Sequence, residues 1–361
     1  MTKAAVRLEA EAIFAAFQAA GGVPVEADIL LPAEALLDLY GEDIRARAYT
    51  TQDPLRGEMM LRPDFTVPVV QAHMADGADP ARYAYMGEVF RKQDSLTPRA
   101  SEYFQVGFEV FDRASPEQAD AEVFALISDL LAPLSLNPTT GDIGILMAAV
   151  RALDTTPTRI AALLRHVWRP RRFRHLLDRY AGRVAPHPAR LRLLKALDEG
   201  KLPKTGPHIG MRSASEIAAR IHALAEDADT PPIPARQAEL LDDLLSLTAP
   251  SPVALERLRD MAVDMPAISA AVERFADRLS AMAARGIDVS TLPFEMGHGR
   301  STLEYYDGFV FEFHSSDLSL PSIAAGGRYD ALTQVLGQGR SIPAVGGMIR
   351  PHLVAQLKGA A

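Results

Sequence analysis

No cysteine occurs among the 361 residues, which excludes disulfides, thiolate nucleophiles and cysteine-ligated zinc. No uncharged stretch approaches the roughly 20 apolar residues that a membrane span needs. The N-terminus lacks a signal-like run as well. In "AAVRLEAEAIFAAFQAAGG", Arg7, Glu9 and Glu11 interrupt the apolar residues, while Val6, Ala10, Ile13, Phe14 and Phe17 recur at helical spacing. Basic residues are in the minority, 38 against 46 acidic ones, and the net charge of −8 argues against a general nucleic-acid binder. There is no G-x-x-x-x-G-K loop and no G-x-G-x-x-G turn, and none of the nine histidines stands in an H-E-x-x-H pattern. Neither a nucleotide fingerprint nor a metal site is therefore expected. Internal repeats and low-complexity segments are absent. What remains is a soluble globular chain of roughly two domains, with 48% hydrophobic residues, compatible with the cytoplasm.

Three regions follow from the patterning. Residues 1–152 mix helices with apolar or alternating runs at 27–32, 58–66, 83–91 and 102–112. Strands in neighbouring runs favour an antiparallel sheet over a strictly alternating β–α order. "SPEQADAEVFALISDLLAPL" (115–134) reads as a helix with Ser115 as N-cap and Pro116 in its first turn. Residues 153–285 look almost wholly helical, with proline breaks at 203–207 and 231–234. Residues 286–361 return to strands and glycines. The order predicts an α+β fold: an antiparallel sheet flanked by helices, formed by 1–152 and 286–361, with 153–285 as a mainly helical insertion and connecting helices.

Within "EYFQVGFEVFD", period-two alternation puts Phe104, Val106, Phe108 and Val110 on one face, and Gln105, Gly107 and Glu109 on the other. Gly107 would clear space for a bound molecule between the amide and the carboxylate; a solvent-facing sheet surface reads the same way. "LRPDFT" offers Asp64 and Thr66 as acceptors for a ligand ammonium, or simply a Pro63–Asp64 turn. "EVFRKQD" ends a strand on Arg91 beside a polar loop, which suits an anion clamp or a surface ion pair. "STLEYYDGFVFEF" supplies Glu304, Tyr305 and Tyr306; "AAGGRYDAL" has Gly326 and Gly327 where backbones approach closely. "SIPAVGGMIRPHLVAQLKGAA" runs a strand through Gly346 and Gly347 toward a helix of Leu353, Val354 and Leu357. Seven arginines fall in 165–183 beside the only tryptophan, on the exposed side of a Phe173–Leu176–Leu177–Tyr180 stripe. A solvated face is the default there, and an acidic partner surface or RNA the sharper possibility.

Taken in order, "RPDFT", "YMGEVFR", "YFQVGFEVFD", "EYYDGFVFE", "AGGRYDAL" and "PAVGG" resemble the catalytic core of the histidyl-tRNA synthetase family, a class II synthetase fold. The resemblance covers roughly 1–150 and 286–361 and is weak between. It implies a histidine pocket made by Asp64, Thr66, Gln105, Glu109, Tyr305 and Tyr306, with Asp64 replacing the family's glutamate. It also exposes departures in the ATP site. Arg91 is kept, but the acid two residues on is Gln93, a loop arginine falls on Ser101, the catalytic arginine becomes Ser301, and the motif-three arginine aligns with Leu353. Arg300 and Arg350 lie close enough to two of these positions to compensate only by a shift. The expectation is an adenylation site that keeps its glycines and has lost its cation.

After the closing helix only Ala355–Ala361 remain, too few for the anticodon-binding domain that synthetases carry there. A paralogue of this kind resembles the family of ATP phosphoribosyltransferase regulatory subunits. That resemblance implies a non-catalytic chain with no cofactor and no tRNA. Its partner would be the short-form catalytic subunit of histidine biosynthesis, with histidine as effector. Self-association would be expected through a first-motif proline that corresponds to Pro32. A truncated histidine-activating ligase is the rival expectation.

Overall fold

A computed structural model describes residues 2–33, 46–93, 100–201, 213–300, 305–317 and 319–360. The chain divides into two compact units, Met1–Ala149 with Asp243–Ala361, and Val150–Asp242.

The described strands of the larger unit are β1 (Val23–Pro24), β2 (Leu30–Pro32), β3 (Thr50–Asp53), β4 (Gly57–Leu61), β5 (Ala81–Phe90), β6 (Glu102–Phe111), β7 (Asn137–Asp142), β8 (Thr248–Pro250), β9 (Pro293–Glu295), β10 (Phe309–His314), β11 (Ala324–Arg328) and β12 (Ala344–Ile349). Nine of them form one sheet in the order β1-β5-β6-β12-β11-β10-β7-β9-β8, and β2-β4-β3 form a second. Among the described residues only β1–β5 and β7–β9 pair in parallel. The expected α+β class and largely antiparallel sheet are what the chain adopts. Pro32 is the exposed end of β2.

Alternation decides which side of the sheet becomes core. Val106, Phe108 and Val110 of β6, Phe309, Phe311 and Phe313 of β10, and Val345 and Ile349 of β12 all point to one face. Helices Lys3–Ala19, Pro116–Leu131, Ser269–Ala284 and Pro351–Ala360 cover that face, contributing Ile13 and Phe17, Val123, Phe124 and Ile127, Met282, and Leu353 and Val354. Helices Ser251–Asp264 and Ser269–Ala284, which patterning groups with the insertion, belong to this larger unit. Periodicity identified them as helices but could not say which core their apolar stripes would join. Ser115 does precede Pro116, yet its hydroxyl makes no cap bond. Asp112 instead accepts from the N–H groups of Ala114 and Ser115 at 2.9 and 3.0 Å.

Burying four helices on one face also buries charge. Arg278, on Ser269–Ala284, donates to Asp120 at 3.2 Å and to Asp142 at 2.6 Å. Arg328, at the end of β11, donates to Asp120 at 2.7 Å and to Asp330 at 3.1 Å. Breaking such a pair leaves an uncompensated buried charge. Arg278→Met is therefore expected to cost about 3–5 kcal/mol in denaturant unfolding, because Asp142 would lose its guanidinium in a site closed to water. A loss below about 1 kcal/mol would show that water reaches the network.

The smaller unit is helical. Pro157, Pro170 and Pro188 stand in the first turns of Pro157–Arg165, Pro170–Tyr180 and Pro188–Asp198, where a missing N–H costs nothing. Ser213 and Glu216 form a reciprocal capping box at the start of Ala214–Asp229. Phe173, Leu177 and Tyr180 form the buried stripe of Pro170–Tyr180, and Leu176 is half-buried. Among the described residues no helix is long and apolar enough to cross a membrane.

Candidate functional site

The face of the nine-stranded sheet opposite the core encloses a cavity of about 510 Å3. Gln105 and Glu109 of β6 and Gly346 of β12 form its floor; Asp64 and Thr66 enter from the turn that starts helix Thr66–Asp76. Tyr85, Tyr305, Tyr306 and Tyr329 make aromatic walls. All six residues expected in a histidine pocket, Asp64, Thr66, Gln105, Glu109, Tyr305 and Tyr306, line this one space.

Glu109 is 1% exposed. Thr66 Oγ1 donates to its Oε1 at 3.0 Å, and the Tyr329 hydroxyl donates to Oε2. Burial pushes the Glu109 carboxyl up to about 7, against the pull of those hydroxyls and with a further push from the Asp64 charge. The phenols of Tyr85, Tyr305 and Tyr329 lie well above their ordinary range, first through burial and then through the nearby carboxylates. They stay protonated and act as donors. Tyr305 OH reaches Asp64 Oδ2 at 3.4 Å, and its ring meets Tyr306 edge-on at 4.9 Å between centroids. Gln105 Oε1 is buried and finds no hydrogen-bond partner among the described residues. An orphaned acceptor on a cavity floor costs free energy unless a donor arrives there.

Register explains the close packing. Tyr85 stands directly opposite Gly107 across β5–β6, and its ring fills the space above that glycine. The gap expected for a ligand between Gln105 and Glu109 is thus taken by the chain's own tyrosine, itself stacked on Phe65 at 4.4 Å. Gly346 stands opposite Glu109 and leaves room for its carboxylate; Gly327 makes room for the Tyr306 ring. Gly326 and Gly347 face Phe311 on the core side. All four glycines lie inside strands β11 and β12, Gly346 and Gly347 ahead of the strand-to-helix junction that the sequence suggested for them, and each is accounted for by packing within the chain.

The far end of the cavity is basic: Arg47, Arg91 and Arg350 line it, with Glu312, His314 and Ser322. Arg91 Nε donates to the Pro63 carbonyl at 2.8 Å, and its Nη2 lies 4.0 Å from Asp64. Arg350 donates to Ser322 Oγ at 2.9 Å and also to the Ser322 carbonyl. Although Leu353 carries no charge, Arg350 brings a guanidinium to this end of the cavity. Arg350 directly follows β12, and its N–H still bonds across to Ile323 at 2.9 Å, so it stays level with the cavity. The helix begins only at Pro351, and its turn carries Leu353 into the core on the other face. Burial alone would raise the Tyr103 phenol, but Arg91 and Arg350 outweigh that and hold it below its ordinary value. His352 is driven down to about 4 by burial and then by Arg350.

Two expected positions serve the backbone and do not line the cavity. Gln93 donates to the carbonyls of Arg91 and Ala100 at 3.2 and 3.3 Å, and the Ser101 carbonyl accepts from Arg91 N–H at 2.8 Å. Ser301 and Glu304 lie outside the described residues. Tyr85, Tyr329 and Arg47 were not singled out for the site by the sequence, and Arg350 was expected to reach it only by a shift. "AGGRYD" held the signal for Tyr329, and the arginine before Pro351 held it for Arg350. Among the described residues no group of three or more His, Cys, Asp or Glu side chains is arranged to hold a metal ion. The cavity thus has an acidic, hydroxyl-rich end for a cationic or N–H-bearing group and a guanidinium end for an anion.

A family model described as histidyl-tRNA synthetase matches residues 2–206 and 211–352. The chain is 34% identical over 342 residues to the ATP phosphoribosyltransferase regulatory subunit of Agrobacterium fabrum, covering 89% of each chain. It is 33% identical over 354 residues to the protein of that name from Mesorhizobium japonicum, covering 89% of this chain and 90% of the relative. A solved structure described as an ATP phosphoribosyltransferase regulatory subunit/histidyl-tRNA synthetase from Bacillus halodurans C superposes with a TM-score of 0.68 at 20% identity, over 98% of this chain and 79% of the other. Histidyl-tRNA synthetase from Nostoc sp. PCC 7120 gives 0.63 at 18%, over 98% and 72%. These last two speak to the fold, which is that of class II synthetases. The chain belongs to the histidyl-tRNA synthetase family and, within it, to the ATP phosphoribosyltransferase regulatory subunits.

Proposed function

We propose that this chain acts without catalysis of its own, activating a short-form ATP phosphoribosyltransferase catalytic subunit and relaying inhibition by histidine bound in the cavity. The observation that carries the ligand assignment is the floor of the cavity: the buried Glu109 carboxyl and the orphaned Gln105 acceptor, walled by tyrosines. A histidine ammonium and imidazole N–H would satisfy these acceptors, and the guanidinium end would receive its carboxylate. Regulation then requires that histidine bind more tightly to the inactive assembly than to the active one. Such coupling is typically worth about 1–3 kcal/mol.

The test is phosphoribosyl-ATP formation by the catalytic subunit of the same genome, with and without this chain. Stimulation that added histidine reverses is the expected result. No stimulation of a verified active partner would overturn the reading. The retained Arg91 and the nearby Arg350 favour one alternative, a truncated ligase that activates histidine. Histidine-dependent exchange of pyrophosphate into ATP would select it; the proposal expects none.

A further inference from the structure

Charge is segregated along this chain. Val150–Asp242 holds 17 Lys and Arg against 10 Asp and Glu, a net +7, while the rest of the chain holds 21 against 36, a net −15. Fourteen of those 17 basic residues are arginine. The smaller unit neutralises only some of them itself. Asp227 takes Arg159 and Arg190, and Asp242 takes Arg174 and Arg183. Arg165, Arg171 and Arg172 are exposed, and among the described residues none of the three has a carboxylate within ion-pair distance.

Two of them are also badly placed for the fold. Arg171 and Arg172 sit in the first turn of Pro170–Tyr180, which has no acidic residue there. Cations at the positive end of a helix dipole are unfavourable. Among the described residues of the unit, no carboxylate offsets that cost. Phe173, Leu177 and Tyr180 anchor the helix, so its arginine face is presented on a fixed element.

Resting on the function proposed above, we infer that the exposed Arg165, Arg171 and Arg172 belong to the docking surface for a carboxylate-rich patch on the catalytic subunit. Planar guanidinium groups pair bidentately with carboxylates, and arginine is enriched where protein interfaces exclude water. The whole-chain charge of −8 disfavours a polyanion such as RNA, whose phosphates would meet that field over many ångströms. A compact acidic patch meets only the local face.

The experiment measures association of the full chain with the catalytic subunit by sedimentation and by surface-immobilised kinetics, at low and high salt. The triple variant R165E/R171E/R172E is expected to bind about 100-fold more weakly, chiefly through a slower on-rate whose salt dependence is lost. Circular dichroism should be unchanged, since all three side chains are exposed. The matching lysine triple keeps the charge and is expected to retain the steering while dissociating faster. Equal affinity of wild type and the glutamate triple overturns the docking surface and leaves the functional reading intact. Absence of any association by the wild-type chain overturns both. Tight, salt-steep binding of a single-stranded RNA oligonucleotide that the triple variant loses, with subunit association unaffected, overturns the inference in favour of nucleic acid.

Discussion

Glu109→Gln is expected to weaken histidine binding by about 10- to 100-fold, because a hydrogen bond to a charged group is worth about 1.5–3 kcal/mol. The same substitution is expected to stabilise the fold at pH 8. Burial raises the Glu109 carboxyl from its ordinary 4.5 to about 7 in the folded chain. A group whose folded pKa is raised contributes stability that is fully present below the unfolded pKa and is lost as pH rises through the folded one. Glu109 therefore costs the fold stability between about pH 4.5 and 7, and the ionised carboxylate is a standing penalty above that window. The neutral amide of the variant would mimic the protonated acid, still accept from Thr66, and donate to Tyr329. The variant's unfolding midpoint should fall less steeply between pH 5 and 8 than the wild type's. Asp307, raised to about 7 by burial and then by Asp330, keeps part of the slope in both proteins. Calorimetric titration with histidine and thermal unfolding across that range check the two halves separately. Unchanged histidine affinity in the variant would remove the cavity from the mechanism.

The same carboxyl links ligand binding to protons. A cationic ligand group beside Glu109 favours its ionised form, so binding near pH 7 should release a fraction of a proton. Histidine should accordingly bind more weakly at pH 6 than at pH 7.5. In buffers of different ionisation enthalpy the observed heat should shift with the buffer, and Glu109→Gln should abolish most of that shift.

Much of this site was legible in the chain itself because alternation in a strand is a local property. Phe104 to Val110 declared one apolar face and one polar face, and the motifs around Asp64, Gln105 and Tyr305 carried the likeness to a synthetase core. What the sequence withheld is register. Tyr85 opposite Gly107, Glu109 opposite Gly346 and Phe311 opposite Gly326 are pairings between residues 15 to 237 positions apart. A glycine that admits a neighbouring side chain and one that admits a ligand are indistinguishable until the partner strand is placed. Arg350 was obscured for a related reason. Whether it or Leu353 faces the cavity depends on the residue at which β12 gives way to helix, and boundaries are the least determinate feature of any pattern. The helices Ser251–Asp264 and Ser269–Ala284 looked like their neighbours in the insertion because an amphipathic stripe specifies a burial face without specifying the surface it meets.

That register makes two adjacent glycines separable by experiment. The three atoms nearest a methyl group at Gly346 would all belong to the Glu109 carboxylate, the far end of a side chain that can swing away. Gly346→Ala is therefore expected to eject Glu109 from its hydrogen bonds with Thr66 and Tyr329 and abolish the histidine response. Gly347→Ala points instead into the core against Ile127, Phe311 and Val123. Overpacking there is expected to cost about 1–3 kcal/mol of stability with little effect on ligand affinity. Combining the variants sharpens the assignment. Once Glu109 is truncated to Ala, the Gly346→Ala methyl has nothing to displace, so its own stability cost should nearly vanish in that background. In a double-mutant cycle of unfolding free energies, the double variant should be less destabilised than the sum of the two single variants by about 1 kcal/mol or more. Strict additivity would show that the two residues do not share the space the register assigns them.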